Sequence, residues 1–147
     1  MPIRRVTPSE AAELLASGWT YIDVRTIPEF AAEHPRGAYN VPLMHQGPSG
    51  RTANPDFLSV VEAGFARDAK LVLGCAGGTR SRRAAEILAE AGFTDVVDMR
   101  GGFGGESDSM GRVVTPGWKT AGFPTAAAAE PGHRYDEMEK KARGGGS

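Results

Sequence analysis

The chain contains a single cysteine, Cys75, and its neighbours make it a candidate nucleophile. It directly follows the apolar run Leu71-Val72-Leu73-Gly74 and directly precedes Ala76-Gly77-Gly78-Thr79-Arg80-Ser81, after which the sequence turns helical. In open α/β sheets, ligands bind just outside the carboxyl ends of the strands. A loop there aims backbone N–H groups inward, and the following helix adds unpaired donors and the positive end of its dipole. Both favour thiolate over thiol. Gly77 and Gly78 let the loop curl without Cβ clashes, as a nest of N–H groups requires. Arg80, Arg82 and Arg83 crowd the first turn of the helix, where an exposed, unpaired cation costs about 0.3–1 kcal/mol. That placement makes sense around a bound anion. Simpler uses exist: a buried cysteine at a strand end is more often an inert small hydrophobe, and Arg82 and Arg83 could pair with Glu86 on a solvated face. The order cysteine, two glycines, arginine, helix favours chemistry, with Arg80 closing the loop.

The elements that must position this loop alternate between short apolar runs and helical patterns, which predicts an α/β domain with a largely parallel sheet. Thr7-Pro8-Ser9-Glu10 supplies an N-cap, a proline at the first helical position and a capping-box glutamate. The helix they open carries Ala11, Leu14 and Leu15 on one face and stops at Gly18. Strands are expected over 19–24, 38–41, 71–74 and 94–99. Helices are expected to start at 28–30, to run over 54–65 opened by Asn54-Pro55, and to run over 81–91 with Ala84, Leu88 and Ala91 inward and Gly92 at the stop. Residues 47–54 read as a loop rich in Gly, Pro, Ser and Asn, and 100–117 as an irregular glycine-rich stretch, long for a compact domain. One helical turn is expected at 118–122.

The division expected from this pattern is a domain over 1–124 and a C-terminal tail over 125–147. Ala126-Ala127-Ala128-Ala129 and the glycine-rich end offer little apolar surface to offset ordering, so the tail is expected to be dispensable for catalysis. A helix over 134–143 is nevertheless readable, with Asp136–Lys140, Glu137–Lys141 and Glu139–Arg143 at i,i+4 and Tyr135, Met138 and Ala142 on one face able to dock. Gly144-Gly145-Gly146-Ser147 resembles linker.

A formal net charge of −1 gives no argument for nucleic acid or an anionic membrane as partner. No apolar run approaches the ~20 residues needed to span a bilayer, and the opening residues lack a signal peptide's apolar region. One cysteine excludes an internal disulfide, so the reducing cytoplasm is the expected compartment. Three scattered histidines and one cysteine make no zinc site, and no metal or cofactor is expected. His45 and His133 are expected to be solvated.

Three ordered motifs resemble the rhodanese family over about residues 6–124. The first is Asp23-Val24-Arg25, Pro28-Glu29-Phe30, His34 and Gly37-Ala38-Tyr39-Asn40-Val41-Pro42; the second is the strand and loop at 71–80. The third is Arg100-Gly101-Gly102-Phe103, followed by Trp118 and Gly122-Phe123-Pro124. The resemblance implies a three-layer α/β domain with a central parallel sheet flanked by helices. It implies Cys75 as the residue that becomes a persulfide, with Ala76, Gly77, Gly78, Thr79 and Arg80 around the sulfur. Asp23, Arg25 and Glu29 carry over as structural, with Glu29 the expected partner of Arg25 and His34 ordering the turn. Three features depart from the pattern. Ala76 and Gly77 stand where thiosulfate-using relatives often bear cationic or polar side chains, Pro35-Arg36 replaces Ile-Pro, and residues 105–116 read as an insertion expected to border the site's mouth.

The implied activity is sulfur transfer in two displacements, from a small donor such as thiosulfate to Cys75 and then to a thiol or cyanide acceptor, a protein thiol included. Splitting the transfer this way is covalent catalysis. Two alternatives stay open. A cysteine phosphatase or arsenate reductase on the same fold needs five residues between cysteine and arginine, whereas Arg80 follows Cys75 after four. A non-catalytic interaction or sensor module would have no use for the retained cysteine, glycines and arginine.

Overall fold

A computed structural model describes residues 3–77 and 79–143. Gly78 and the linker-like residues 144–147 lie outside them. The chain runs β1 (Arg4–Val6), α1 (Pro8–Ala16), β2 (Thr20–Asp23), α2 (Ile27–Ala32), β3 (His34–Pro35), β4 (Tyr39–Asn40), β5 (Met44–Gly47), β6 (Gly50–Ala53) and α3 (Phe57–Gly64). It continues with β7 (Lys70–Gly74), α4 (Thr79–Glu90), β8 (Asp95–Met99), β9 (Glu106–Ser107), β10 (Val113–Thr115), β11 (Thr125–Ala126) and α5 (Tyr135–Ala142). Five strands form one parallel sheet in the order β1-β8-β7-β2-β4.

Side chains alternate across that sheet, so each face builds its own core. Ile22, Leu71 and Leu73 pack with Phe57, Val60 and Val61 of α3 and with Ala84 and Leu88 of α4. Tyr21, Val72 and Val97 pack on the opposite face with Ala11 of α1 and Phe30 of α2, joined by Phe103 and Trp118. This is the expected three-layer arrangement. The caps behave as read: Thr7 and Glu10 exchange the two bonds of a capping box at α1, and Thr26 and Glu29 do the same at α2. Asn54 acts differently. Its Oδ1 accepts from the N–H of Asp56, its amide donates to the Pro42 carbonyl and the Tyr135 hydroxyl, and α3 starts only at Phe57.

Two stretches expected as irregular are hairpins. β5 and β6 pair antiparallel from Met44–Ala53 to Gly47–Gly50, and β9 and β10 pair within the 105–116 insertion. Their strands are short and without clear alternation, and the two valines of β10 are exposed, so backbone pairing forms them rather than a buried face. The tail is not peripheral. β11 pairs with β3, and α5 packs on α3 with Tyr135 and Met138 buried in the same core as Leu71 and Leu73. The docking face read from the sequence is therefore used. Of the three pairs expected along α5, Glu139–Arg143 forms at 3.2 Å. Glu137 instead takes the Gly132 N–H and Arg134. Among the described residues, no helix is long and apolar enough to cross a membrane.

Candidate functional site

Cys75 sits one residue beyond β7, the middle strand of the sheet, at its carboxyl edge. The register places a carboxylate on each side of that edge. Asp23 of β2 is level with Gly74, and Asp98 of β8 is level with Leu73. Both are buried, as is Cys75, which is 1% exposed. Each carboxylate organises a different part of the loop.

On the β2 side, Arg25 folds back on Asp23. Its Nε and Nη2 reach both carboxylate oxygens at 2.8–3.1 Å, and Nη2 also donates to the Glu33 carbonyl at 2.6 Å. The guanidinium lies 4.3 Å above the centre of the Phe103 ring. The Phe103 N–H donates to the Cys75 carbonyl at 2.6 Å, and the Gly104 N–H donates to that of Ala76 at 3.0 Å. A trans peptide directs its N–H opposite its C=O, so the N–H groups of Ala76 and Gly77 face away from the 103–104 strand of backbone. The glycine-rich third motif is thus a clamp on the cysteine loop.

Glu29 is not the partner of Arg25, because the fork to Asp23, two residues back at the strand end, already satisfies that guanidinium. Glu29 instead binds Arg80, Nη1 to Oε1 at 2.8 Å and Nη2 to Oε2 at 3.1 Å, with Arg51 at 3.5 Å. Burial acts to raise the Glu29 carboxyl, but the bonds from Arg80 and Thr26 outweigh it and bring it down to about 2. Arg80 answers in kind: burial opposes its charge, Glu29 overrides that, and its acidity falls further below the ordinary arginine's. The loop's closing cation is therefore tied to α2, within electrostatic reach of Cys75. Thr79 is exposed at the start of α4, and Ala76 and Gly77 are half-buried. Gly78 lies outside the described residues. Of the two helix-face arginines, Arg83 pairs with Glu86 at 3.6 Å, while Arg82 acts on Asp98.

On the β8 side lies an arrangement the sequence reading gave no role. The Cys75 thiol donates to the Ser81 hydroxyl oxygen at 3.5 Å, and the Ser81 hydroxyl donates to Asp98 Oδ1 in a short bond. Asp98 Oδ2 accepts from Arg5 Nε at 2.7 Å. Burial pushes the Asp98 carboxyl up, against the opposing bonds from Ser81 and Arg5. A signal for it existed: Asp98 interrupts the apolar run Val96-Val97-Asp98-Met99, and a carboxylate inside a core strand is more informative than any hydrophobe there.

His34 orders its turn as expected, with Nδ1 2.8 Å from the Phe30 carbonyl and its ring stacked on Phe30. His133 is not solvated. It stacks on Tyr39 at 3.6 Å, and Nδ1 lies 3.1 Å from the Gly37 carbonyl. His45 is half-buried, 5.6 Å from the Tyr135 ring.

The Rhodanese-like domain family matches residues 7–105, which takes in both carboxylates, the cysteine loop and the glycine clamp. The chain belongs to the rhodanese-like domain family. Thiosulfate sulfurtransferase 16, a chloroplastic protein of Arabidopsis thaliana, is 40% identical over 83% of this chain and 92% of its own length. Thiosulfate sulfurtransferase GlpE of Haemophilus influenzae is 34% identical over 71% of this chain and 89% of its own. Of two other plant relatives the chain spans only about half, 51% of each. Among solved structures, Rv0390 from M. tuberculosis superposes with a TM-score of 0.73 at 28% identity, covering 87% of this chain and all of that one. The family match ends where the β9–β10 hairpin begins.

Proposed function

We propose that this rhodanese-like protein is a sulfurtransferase that carries sulfane sulfur as a persulfide on Cys75. The observation that carries the reading is the placement of the Cys75 thiol. It sits at the carboxyl end of the central strand, clamped through its carbonyl, under a loop that leads into a helix N-terminus. In the first displacement the Cys75 thiolate attacks the outer sulfur of a donor such as thiosulfate. The donor's S–S bond breaks with its electron pair leaving on sulfite, and Cys75 is left as the persulfide. In the second, an external thiolate or cyanide attacks the outer sulfur and the Cys75 thiolate departs. Loop N–H groups and the helix end hold the developing negative charge. With one cysteine in the chain, no internal thiol resolves the persulfide. Small side chains at Ala76 and Gly77 leave room for a bulkier acceptor, a protein thiol included. The reading carries with it a reducing compartment such as the cytoplasm, where a lone thiol stays reduced.

Against a phosphatase or arsenate reductase stand the four-residue spacing to Arg80 and the engagement of that arginine by Glu29, which leaves its fork occupied. The test is mass spectrometry of the intact protein after incubation with thiosulfate. The expected result is a gain of one sulfur on wild type that cyanide removes, and no gain on Cys75→Ser. A Cys75→Ser protein with undiminished transfer to cyanide, or a wild type unmodified by thiosulfate or any persulfide donor, overturns the reading.

A further inference from the structure

Beside Cys75, the thiol, the Ser81 hydroxyl and the Asp98 carboxylate form one continuous hydrogen-bonded line. A serine hydroxyl has a single proton to donate, and an ionised carboxylate can only accept. With the Ser81 proton committed to Asp98, the Ser81 oxygen presents a lone pair to Cys75 Sγ. Every bond in the line therefore points from sulfur towards the carboxylate. Three elements bring the members together: Cys75 ends β7, Asp98 lies in the neighbouring β8, and Ser81 stands on the inward face of α4 with Ala84, Ala85 and Leu88.

We propose that Ser81 and Asp98 are the proton relay that makes the Cys75 thiolate and later restores the thiol. In the forward step the Cys75 S–H bond breaks as its proton passes to Ser81 Oγ. The Ser81 proton passes at the same time to Asp98 Oδ1. Thiol, alcohol and carboxylate become thiolate, alcohol and carboxylic acid, with one negative charge before and one after. Ser81 then donates to the thiolate it has created. After the acceptor has taken the outer sulfur and Cys75 is again a thiolate, the two protons run back.

Burial favours such a route, since at 1% exposure Cys75 offers little surface on which water can take its proton. Creating a new net charge in a dry site is costly, whereas this exchange moves a charge without creating one. Asp98 suits the acceptor's part because burial already raises its affinity for a proton. Among the described residues, several charged and titratable groups face the line. Arg5 of β1 and Arg82 of α4 face Asp98, Tyr21 of β2 faces both Asp98 and Cys75, and Arg80 acts on Cys75. Asp23, Arg25 and Glu29 reach these through Tyr21 and Arg80. Ser81 touches the reacting sulfur and is the catalytic member; Asp98 acts through it as a positioning residue.

The proposal deepens the sulfurtransferase reading, so its test has one arm that requires no sulfur transfer. The rate of alkylation of the sole cysteine by iodoacetamide, and the rate of persulfide formation from thiosulfate, are followed against pH in wild type, Ser81→Ala, Ser81→Thr and Asp98→Asn. With the relay, wild type reacts faster than Ser81→Ala and Asp98→Asn at acidic to neutral pH, because its thiolate forms without losing a proton to solvent. Ser81→Ala and Asp98→Asn lose about 10²-fold at acidic to neutral pH and recover towards wild type once solvent hydroxide deprotonates the thiol. Ser81→Thr, which keeps the hydroxyl, retains the wild-type profile. Profiles that superimpose, or variants that lose the same factor at every pH, overturn the relay. Thiosulfate inertness with an intact alkylation difference would sink the sulfurtransferase reading and leave the relay standing.

Discussion

At Gly102 one atom decides whether the cysteine loop can close. The residue sits at φ +60°, and a β-carbon there would collide with the Cys75 carbonyl oxygen and lie 2.7 Å from the carbonyl carbon and oxygen of Ala76. Gly18 has an even larger positive φ, +102°, but nothing lies within 4 Å of its would-be β-carbon. The pair separates backbone strain from collision. Gly18→Ala is expected to lower stability by about 1 kcal/mol, the order of strain for alanine at positive φ, and to leave persulfide formation unchanged. Gly102→Ala must also push the Cys75–Ala76 peptide aside, so it is expected to lose ~10-fold or more in persulfide formation, the scale of cost that an ångström of misplacement carries. Melting curves and persulfide rates on both proteins check this, and equal effects on the rate would show that the clamp does not position Cys75. The sequence made Cys75 and the glycine pair visible because each is a residue type with few structural uses at its position. The Ser81–Asp98 line was less visible, since a carboxylate and a hydroxyl 17 residues apart meet only when β8 is laid beside β7.

Helix α2 and helix α4 are joined beside the loop by Glu29 and Arg80, and this contact between elements has a pH signature. Both ends of the pair are mostly buried, with side chains 25% and 11% exposed. The Glu29 carboxyl falls from about 4.5, its ordinary value, to about 2 in the folded protein. A depressed carboxylate adds stability that is fully present above the unfolded value and disappears as pH falls through the folded one. Wild type is therefore expected to melt above Glu29→Gln at neutral pH, and the gap is expected to close between about pH 4.5 and about pH 2. Glutamine keeps an oxygen for the Thr26 cap, so the substitution removes the charge and one bond from Arg80 while preserving the capping geometry. Melting temperature against pH for the two proteins is the check; a gap that stays constant would assign the difference to packing. The swap of partners, Arg80 for Arg25 at Glu29, shows where reading by motif runs out. Neighbouring residues in a motif suggest local pairs, but the ladder between β2 and β7 brings α2 against α4 and lets a partner 51 residues away win. The two hairpins escaped for a related reason: strands of two to four residues held by backbone bonds leave no period to read.

Taken as a whole, the molecule closes its core with the segment that composition made look expendable. Four alanines and a glycine-rich end give residues 125–147 few large apolar side chains, yet the useful surface is concentrated in two of them. Tyr135 and Met138 are each 4% exposed and lie in one core cluster with Phe57, Val60, Val61 and Cys75 itself. Gly64 at the end of α3 is the seat for Met138, whose Cε would stand 2.9 Å from a β-carbon added there. The Tyr135 hydroxyl accepts from Asn54, the His133 carbonyl accepts from the N–H of Asn40, and β11 adds to β3. An isolated helix of this length is marginal in water, so α5 gains its order from docking and returns it as burial. Met138→Ala is expected to cost about 2–4 kcal/mol, as large-to-small core changes do. Deleting residues 126–147 is expected to cost more than that, a large share of the ~5–15 kcal/mol that holds a domain together. Chemical denaturation of wild type, Met138→Ala and the truncated chain measures both. The truncated chain is expected to show a lower midpoint and a greater loss of persulfide formation on warming, because the core it opens is the one in which Cys75 is buried. An unchanged midpoint on truncation would mean that α5 rests on the domain without supporting it, and that residues 1–125 fold and react as a unit on their own.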